Sequence, residues 1–182
     1  MLRLHLKEGQ TITEEEFAYI QNEILLQDAR QYALKLLDRQ SYTENAIRRK
    51  LKDHGADESV IEKTVAFLTE YRYIDDDDYA RRYVKAALHS GKSGLNKIRN
   101  DLYVKGIERE LIEEVIAELD TEELHASQQE ALAPIIAKKL NGDYSFPNIM
   151  KVKRYCLGRG FSADSIDIVL QELKIEREEW SE

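Results

Sequence analysis

The sequence predicts an all-α protein, a tandem array of three three-helix repeats, and three observations lead there. The chain repeats itself, its apolar residues recur at helical spacing, and sharp-turn residues are scarce. Eight Gly and two Pro in 182 residues argue against a sandwich or barrel. A hydrophobic share of 42% is enough for a buried core at this length.

Three segments align without internal gaps: AIRRKLKDHGADESVIEKTVAFL from Ala46, KIRNDLYVKGIERELIEEVIAEL from Lys97 and KVKRYCLGRGFSADSIDIVLQEL from Lys151. Shared slots include Ile47/Ile98/Val152, Leu51/Leu102/Cys156, Gly55/Gly106/Gly160 and Ile61/Ile112/Ile166. Self-similarity of this kind marks a repeat architecture. Each half of a segment carries an amphipathic helix ladder, and the Gly between the halves suits a left-handed helix end.

The elements follow in chain order, with expected boundaries at 1–27, 28–74, 75–120 and 121–182. In the first segment LRLHLK alternates, so Leu2, Leu4 and Leu6 suit one side of a short strand. Thr13-x-x-Glu16 then opens a helix with Phe17, Ile20 and Ile24 on one face. A lone strand is marginal, so this segment is expected either to pair with something outside the given sequence or to be part of a larger N-terminal element. Each repeat opens on its own helix: Ala29–Leu37, Tyr79–Ala87, and Leu132–Leu140 with a kink at Pro134. Ser41-x-x-Glu44 reads as a capping box, and Pro147 suits a first helical turn.

Between the first and second helices of repeat 2 lies HSGKSG, whose Gly91-Lys92-Ser93 imitates the end of a phosphate-binding loop. The required first Gly is Ala86, and the preceding residues have helical rather than strand spacing. The segment is therefore read as a repeat linker with a Ser available as cap.

Charge is segregated by helix. The middle helices, taken as 44–55, 92–106 and 146–160, hold twelve Lys or Arg against three acids. The third helices, taken as 57–70, 108–120 and 164–179, hold sixteen acids against four cations. A net charge of −8 thus hides a +9 set and a −12 set. Stacked repeats would join the basic helices into a stripe able to meet phosphates or an acidic groove. The candidate contacts are Arg48, Arg49, Lys52, Lys97, Arg99, Lys105, Lys151, Lys153 and Arg154. Arg48, Arg99 and Lys153 are the most informative, because they follow the core Ile or Val in every unit. Basic and acidic helices could equally pair along a seam within each unit. His54, Lys105 and Arg159 precede the Gly, where a cation suits the helix dipole.

Nothing in the pattern points to catalysis, a metal or a cofactor. Cys156 takes the slot of Leu51 and Leu102, and reads as a buried small hydrophobe. His5, His54, His89 and His125 are scattered, without metal-ligand spacing. The DDDD run at 75–78 lacks the spaced ligands of a calcium loop and suits a helix start. No apolar run approaches ~20 residues, so no membrane span is expected. One cysteine and the absence of a signal-peptide pattern fit a reducing, cytoplasmic compartment.

These features resemble the RecX family, regulators of the RecA recombinase. The resemblance rests on YIDDDDYARRYV from Tyr73, on the stretch from Gly94 through KIRNDLYVKGI, and on ALKLLDRQSYTENAIRRKLKDHG. It implies that Tyr73, Ile74, Asp75, Tyr79, Ala80, Gly94 and Gly106 make the fold. It also implies a non-enzymatic, elongated and curved array, expected as a monomer, that docks on the RecA filament on single-stranded DNA. There it would restrain ATP hydrolysis and strand exchange in recombination, repair and the SOS response. LHLKEGQTITEEEFAYI is similar to the family's N-terminal segment starting partway, so an incomplete N-terminus is expected.

A competing expectation is a helical-repeat protein that binds single-stranded DNA directly. Major-groove reading by the third helices is disfavoured by their −12 charge. The middle helices could bind loosely, with Tyr42, Tyr103 and Tyr155 stacking on bases.

Overall fold

The computed structural model describes residues 11–119 and 121–179 of the chain. Among them are nine helices and no strand. The chain divides into two compact units after Asp75. The first contains α1 (Glu14–Leu37), α2 (Glu44–Asp53) and α3 (Glu58–Glu70). The second contains α4 (Asp76–Ser90), α5 (Leu95–Val104), α6 (Arg109–Ala117), α7 (Thr121–Leu140), α8 (Phe146–Gly158) and α9 (Ala163–Glu179).

Each three-helix set closes on its own apolar cluster. In the first, Ala29 and Ala33 meet Ile47, Leu51, Ile61, Val65 and Leu68, and Ile74 plugs the end. In the second, Ala80 and Val84 meet Ile98, Leu102, Ile112 and Ile116. In the third, Leu132, Ile136 and Leu140 meet Val152, Cys156, Ile166 and Val169. Cys156 is fully buried in its leucine slot, and burial pushes its thiol pKa up.

The helix–Gly–helix hairpin is built the same way each time. Gly55, Gly106 and Gly160 have φ of 96°, 88° and 84°, the left-handed region that glycine enters without a Cβ clash. The next residue's N–H returns to the carbonyl five positions back: Ala56 to Leu51, Ile107 to Leu102, Phe161 to Cys156. This reversal ends the middle helix and drops Ile107 and Phe161 into the core.

The local expectations meet several corrections. The helix opening at Thr13 does carry a capping box with Glu16, but it runs unbroken into Ala29–Leu37 as one 24-residue α1. α2 is capped by the Thr43 hydroxyl accepting from Ala46 N–H, two residues beyond the expected Ser41. Pro147 lies in the first turn of α8, whereas Pro134 sits inside α7, which remains one helix. The expected strand over Leu2, Leu4 and Leu6 lies outside the described residues.

The HSGKSG linker departs further from expectation. α5 is capped by Gly94, with no side-chain hydrogen bond, and not by a serine. Its orphan donors go to repeat 3 instead. Gly94 N–H donates to Arg159 O at 2.9 Å, and Asn96 N–H to Gly160 O at 3.1 Å. Leu95 N–H donates to Gln128 Oε1 at 3.1 Å, and Arg159 Nη1 to Lys92 O at 2.6 Å. A Cβ on Gly94 would stand 2.2 Å from Phe161 N, and one on Gly160 would stand 2.2 Å from Lys97 N. Two backbones touch there, which leaves no room for a capping side chain.

Candidate partner-binding surface

The nine candidate cations fall into three groups. Arg48, Arg99 and Lys153 are turned to the acidic helix of their own repeat. Arg48 Nε lies 2.7 Å from Glu44 Oε1 and its Nη1 reaches Glu62. Arg99 Nε lies 2.9 Å from Glu113 Oε1. Lys153 pairs with Asp167. In each repeat the acid follows the cation by fourteen residues, the distance across the helix–Gly–helix hairpin. The hydrogen bonds that Arg48 donates, to Glu62 first and Glu44 second, hold its guanidinium above its ordinary pKa. The same contact with Arg48 holds the Glu62 carboxyl below its own. These pairs are solvent-exposed and contribute little each, but they orient one helix against the next. The charge of these three cations is thus matched inside their own repeats.

A second group is engaged more loosely. Lys97 Nζ lies 2.9 Å from Asp101, which also accepts from the Tyr83 hydroxyl at 3.2 Å. Desolvation, then the Asp101 charge, raises the Tyr83 pKa. Lys105 sits over Tyr83 and Tyr79 at 5.5 and 5.9 Å. His54, at the matching slot of repeat 1, stacks on Tyr32 at 3.9 Å with its Nε2 2.9 Å from Asp28. In repeats 1 and 2 the residue before the Gly thus meets the first helix of its own repeat.

The third group is Arg49, Lys52, Lys151 and Arg154. All four are exposed and make no ion pair among the described residues. They lie on the outward faces of α2 and α8, opposite Ile47, Leu51, Val152 and Cys156. On α8 they are accompanied by Phe146, Met150 and Leu157, which are 75%, 42% and 50% exposed. Reading charge alone missed these apolar residues. The signal was present, since Leu157 occupies the slot of Lys52 and Tyr103, an outward one. Tyr155 is also at the surface, between Lys139 at 4.3 Å and Arg159 at 5.2 Å.

The hallmark residues are placed by the fold. Ile74 is buried, and Tyr73 N–H donates to Leu68 O at 2.8 Å after a left-handed Arg72. Ala80 is fully buried, and Tyr79 stacks beside Tyr83 at 6.4 Å. Of the DDDD run, Asp77 and Asp78 pair with Arg81 and Arg82 one turn on. Among the described residues no group of three His, Cys, Asp or Glu could hold a metal ion. No described helix is long and apolar enough to cross a membrane.

A family model described as RecX, first three-helix domain, matches residues 29–68, and one for the second three-helix domain matches 75–116. The regulatory protein RecX of Clostridium botulinum (strain Eklund 17B / Type B) is 33% identical over 172 residues, spanning 92% of this chain and 78% of its own length. The chain belongs to the RecX family. A second RecX, from Caldanaerobacter subterraneus subsp. tengcongensis, is also 33% identical, covering 92% of this chain and 81% of its own. Among solved structures, RecX from Lactobacillus salivarius gives a TM-score of 0.72 at 26% identity, over 84% of this chain and 99% of its own. Another, a crystal structure of regulatory protein RecX, gives 0.78 at 24% identity, over 91% of this chain and 83% of its own, and speaks to the fold alone. The RecX relatives are named as regulatory proteins, and the all-α helical repeat is the architecture they share with this chain.

Proposed function

We propose that this RecX chain is a non-enzymatic regulator that binds the RecA filament on single-stranded DNA and lowers its ATP hydrolysis and strand exchange. The observation that carries the reading is membership of a family whose named members are regulatory proteins. On this reading the protein acts in the cytoplasm as a monomer, and several weak contacts along the filament add up to useful affinity. The contacts we assign to the filament are the unmatched cations Arg49, Lys52, Lys151 and Arg154, with the apolar residues beside the last two. Because these cations have no carboxylate partner among the described residues, an acidic protein surface or a phosphate can take them without breaking a repeat.

The test is ATP hydrolysis by the cognate recombinase on single-stranded DNA, titrated with this protein, with binding to bare DNA measured in parallel. Hydrolysis is expected to fall at concentrations that leave bare DNA unbound. Reversing all four cations to Glu is expected to raise the half-inhibiting concentration by roughly tenfold or more while the helical CD signal stays. Undiminished inhibition would remove these residues from the interface. Unchanged hydrolysis at saturating wild-type protein would remove the filament reading itself.

A further inference from the structure

Repeat 2 carries a groove with a lining particular to it. It encloses about 320 Å³ between α5 and α6, lined by Asn96, Arg99, Asn100, Tyr103, Arg109 and Glu113, with Ile112 at its floor. Asn96, Asn100 and Tyr103 are spaced i, i+4, i+7, so they share the outward face of α5. The matching residues are Asn45, Arg49 and Lys52 in repeat 1, and Met150, Arg154 and Leu157 in repeat 3. Only repeat 2 sets two amides beside an aromatic ring. Across the groove stands Arg109, whose Cζ lies 4.8 Å from the centroid of the half-exposed Tyr103 ring. The equivalent positions are Glu58 and Ala163, so this stack too is particular to repeat 2.

The charges in the groove nearly cancel, leaving one over. Arg99 is matched by Glu113, with its Nη1 3.4 Å from Asn96 Oδ1. Arg109 makes no ion pair among the described residues. What remains is a guanidinium over an aromatic ring, amide donors and acceptors beside it, and one cation uncompensated among the described residues.

We infer that this groove binds one unpaired nucleobase together with its phosphate. The base stacks on the Tyr103–Arg109 pair, the Asn100 and Asn96 amides meet its exposed edge, and Arg109 takes the phosphate. Stacking on an aromatic ring is open to every base, and amide side chains pair with base edges that a duplex would hide. The site goes beyond the filament reading and needs no recombinase to be seen.

The test is fluorescence anisotropy of a labelled ten-residue oligothymidylate with the full chain, at about 50 mM salt because such contacts weaken steeply with salt. An abasic strand of equal length, a duplex and the ribose counterpart run alongside. The single strand is expected to bind, and the abasic strand and the duplex to bind about tenfold more weakly. Tyr103→Ala should cost about tenfold while Tyr103→Phe retains binding. Arg109→Ala should flatten the slope of log affinity against log salt by about 0.7, one phosphate on a single strand. Ribose and deoxyribose strands binding alike, or the deoxyribose strand binding better, both support a base-reading groove. Equal binding of the abasic strand, indifference to Tyr103→Ala, or no binding at all would overturn the inference.

Discussion

Gly55 and Gly160 hold the same slot of the repeat and adopt nearly the same backbone, yet they carry different burdens. Both end a middle helix in the left-handed region. Around Gly55 nothing lies within 4 Å of where a Cβ would be, so only its φ requires glycine. Gly160 is pressed against the start of α5, with Lys97 N 2.2 Å from that point, and its carbonyl caps Asn96. One glycine ends a helix. The other also makes a joint between repeats 2 and 3. A repeat alignment therefore identifies a shared conformation without identifying what each copy has been given to do.

Substitutions at these glycines test the comparison. Gly160→Ala combines backbone strain with a backbone clash and should cost about 3–5 kcal/mol, lowering Tm by roughly 10 °C in a thermal melt followed by CD. Gly94→Ala should come close to it, although its φ of −76° is unstrained, because a Cβ there would meet Gly160 and Phe161 at 2.2–2.3 Å. Gly55→Ala should cost only about 1–2 kcal/mol, roughly 3–6 °C, from the left-handed conformation alone. If Gly160→Ala proves no worse than Gly55→Ala, the joint contributes nothing and the two glycines are equivalent.

A smaller effect should separate the seam within a repeat from the joint between repeats. Arg48 and Arg81 hold Glu62 and Glu118 below their ordinary pKa of 4.5. A carboxyl with a depressed folded pKa adds stability above its unfolded pKa and loses it as pH falls through the folded one. Melts from pH 6 to pH 3 should therefore show a loss of stability below about 4.5, and the double variant Arg48→Gln, Arg81→Gln should lose less over that window. An identical slope in the variant would mean that these exposed pairs do no work in the folded state. The hydrogen bonds of the joint involve backbone, the Gln128 amide and the Arg159 guanidinium but no carboxylate, and should not respond to this change.

The local structure was largely legible, because its causes are local. Three positive-φ glycines, the Leu51/Leu102/Cys156 core slot and the capping box at Thr13 are each set by residues within a turn or two. The pairing of Arg48, Arg99 and Lys153 was legible too, since an acid stands fourteen residues downstream of each cation. That regularity counts toward the seam once the spacing across the hairpin is recognised. Two kinds of feature escaped. Thr43 and Ser41 are both competent caps, and their choice depends on where the first core residue, Ile47, has to point. The joint joins residues 33 to 67 positions apart, and no local pattern announces it beyond a glycine in a linker. On the outward faces of α5 and α8 the tyrosines Tyr103 and Tyr155 were legible as stacking candidates, whereas Asn96, Asn100, Phe146, Met150 and Leu157 were masked by the charge in the same slots.

That joint also bears on how the chain is made. The first amides of α5 find their protein acceptors on Gln128, Arg159 and Gly160. A ribosome adding about 5–20 residues per second delivers those acceptors several seconds after Gly94 has been added. During that interval α5 can form its inner turns, but its leading turn has only water to bond. Repeat 2 is finished by a segment that does not yet exist when its own last residue is added, so the first turn of α5 matures only once repeat 3 has been made.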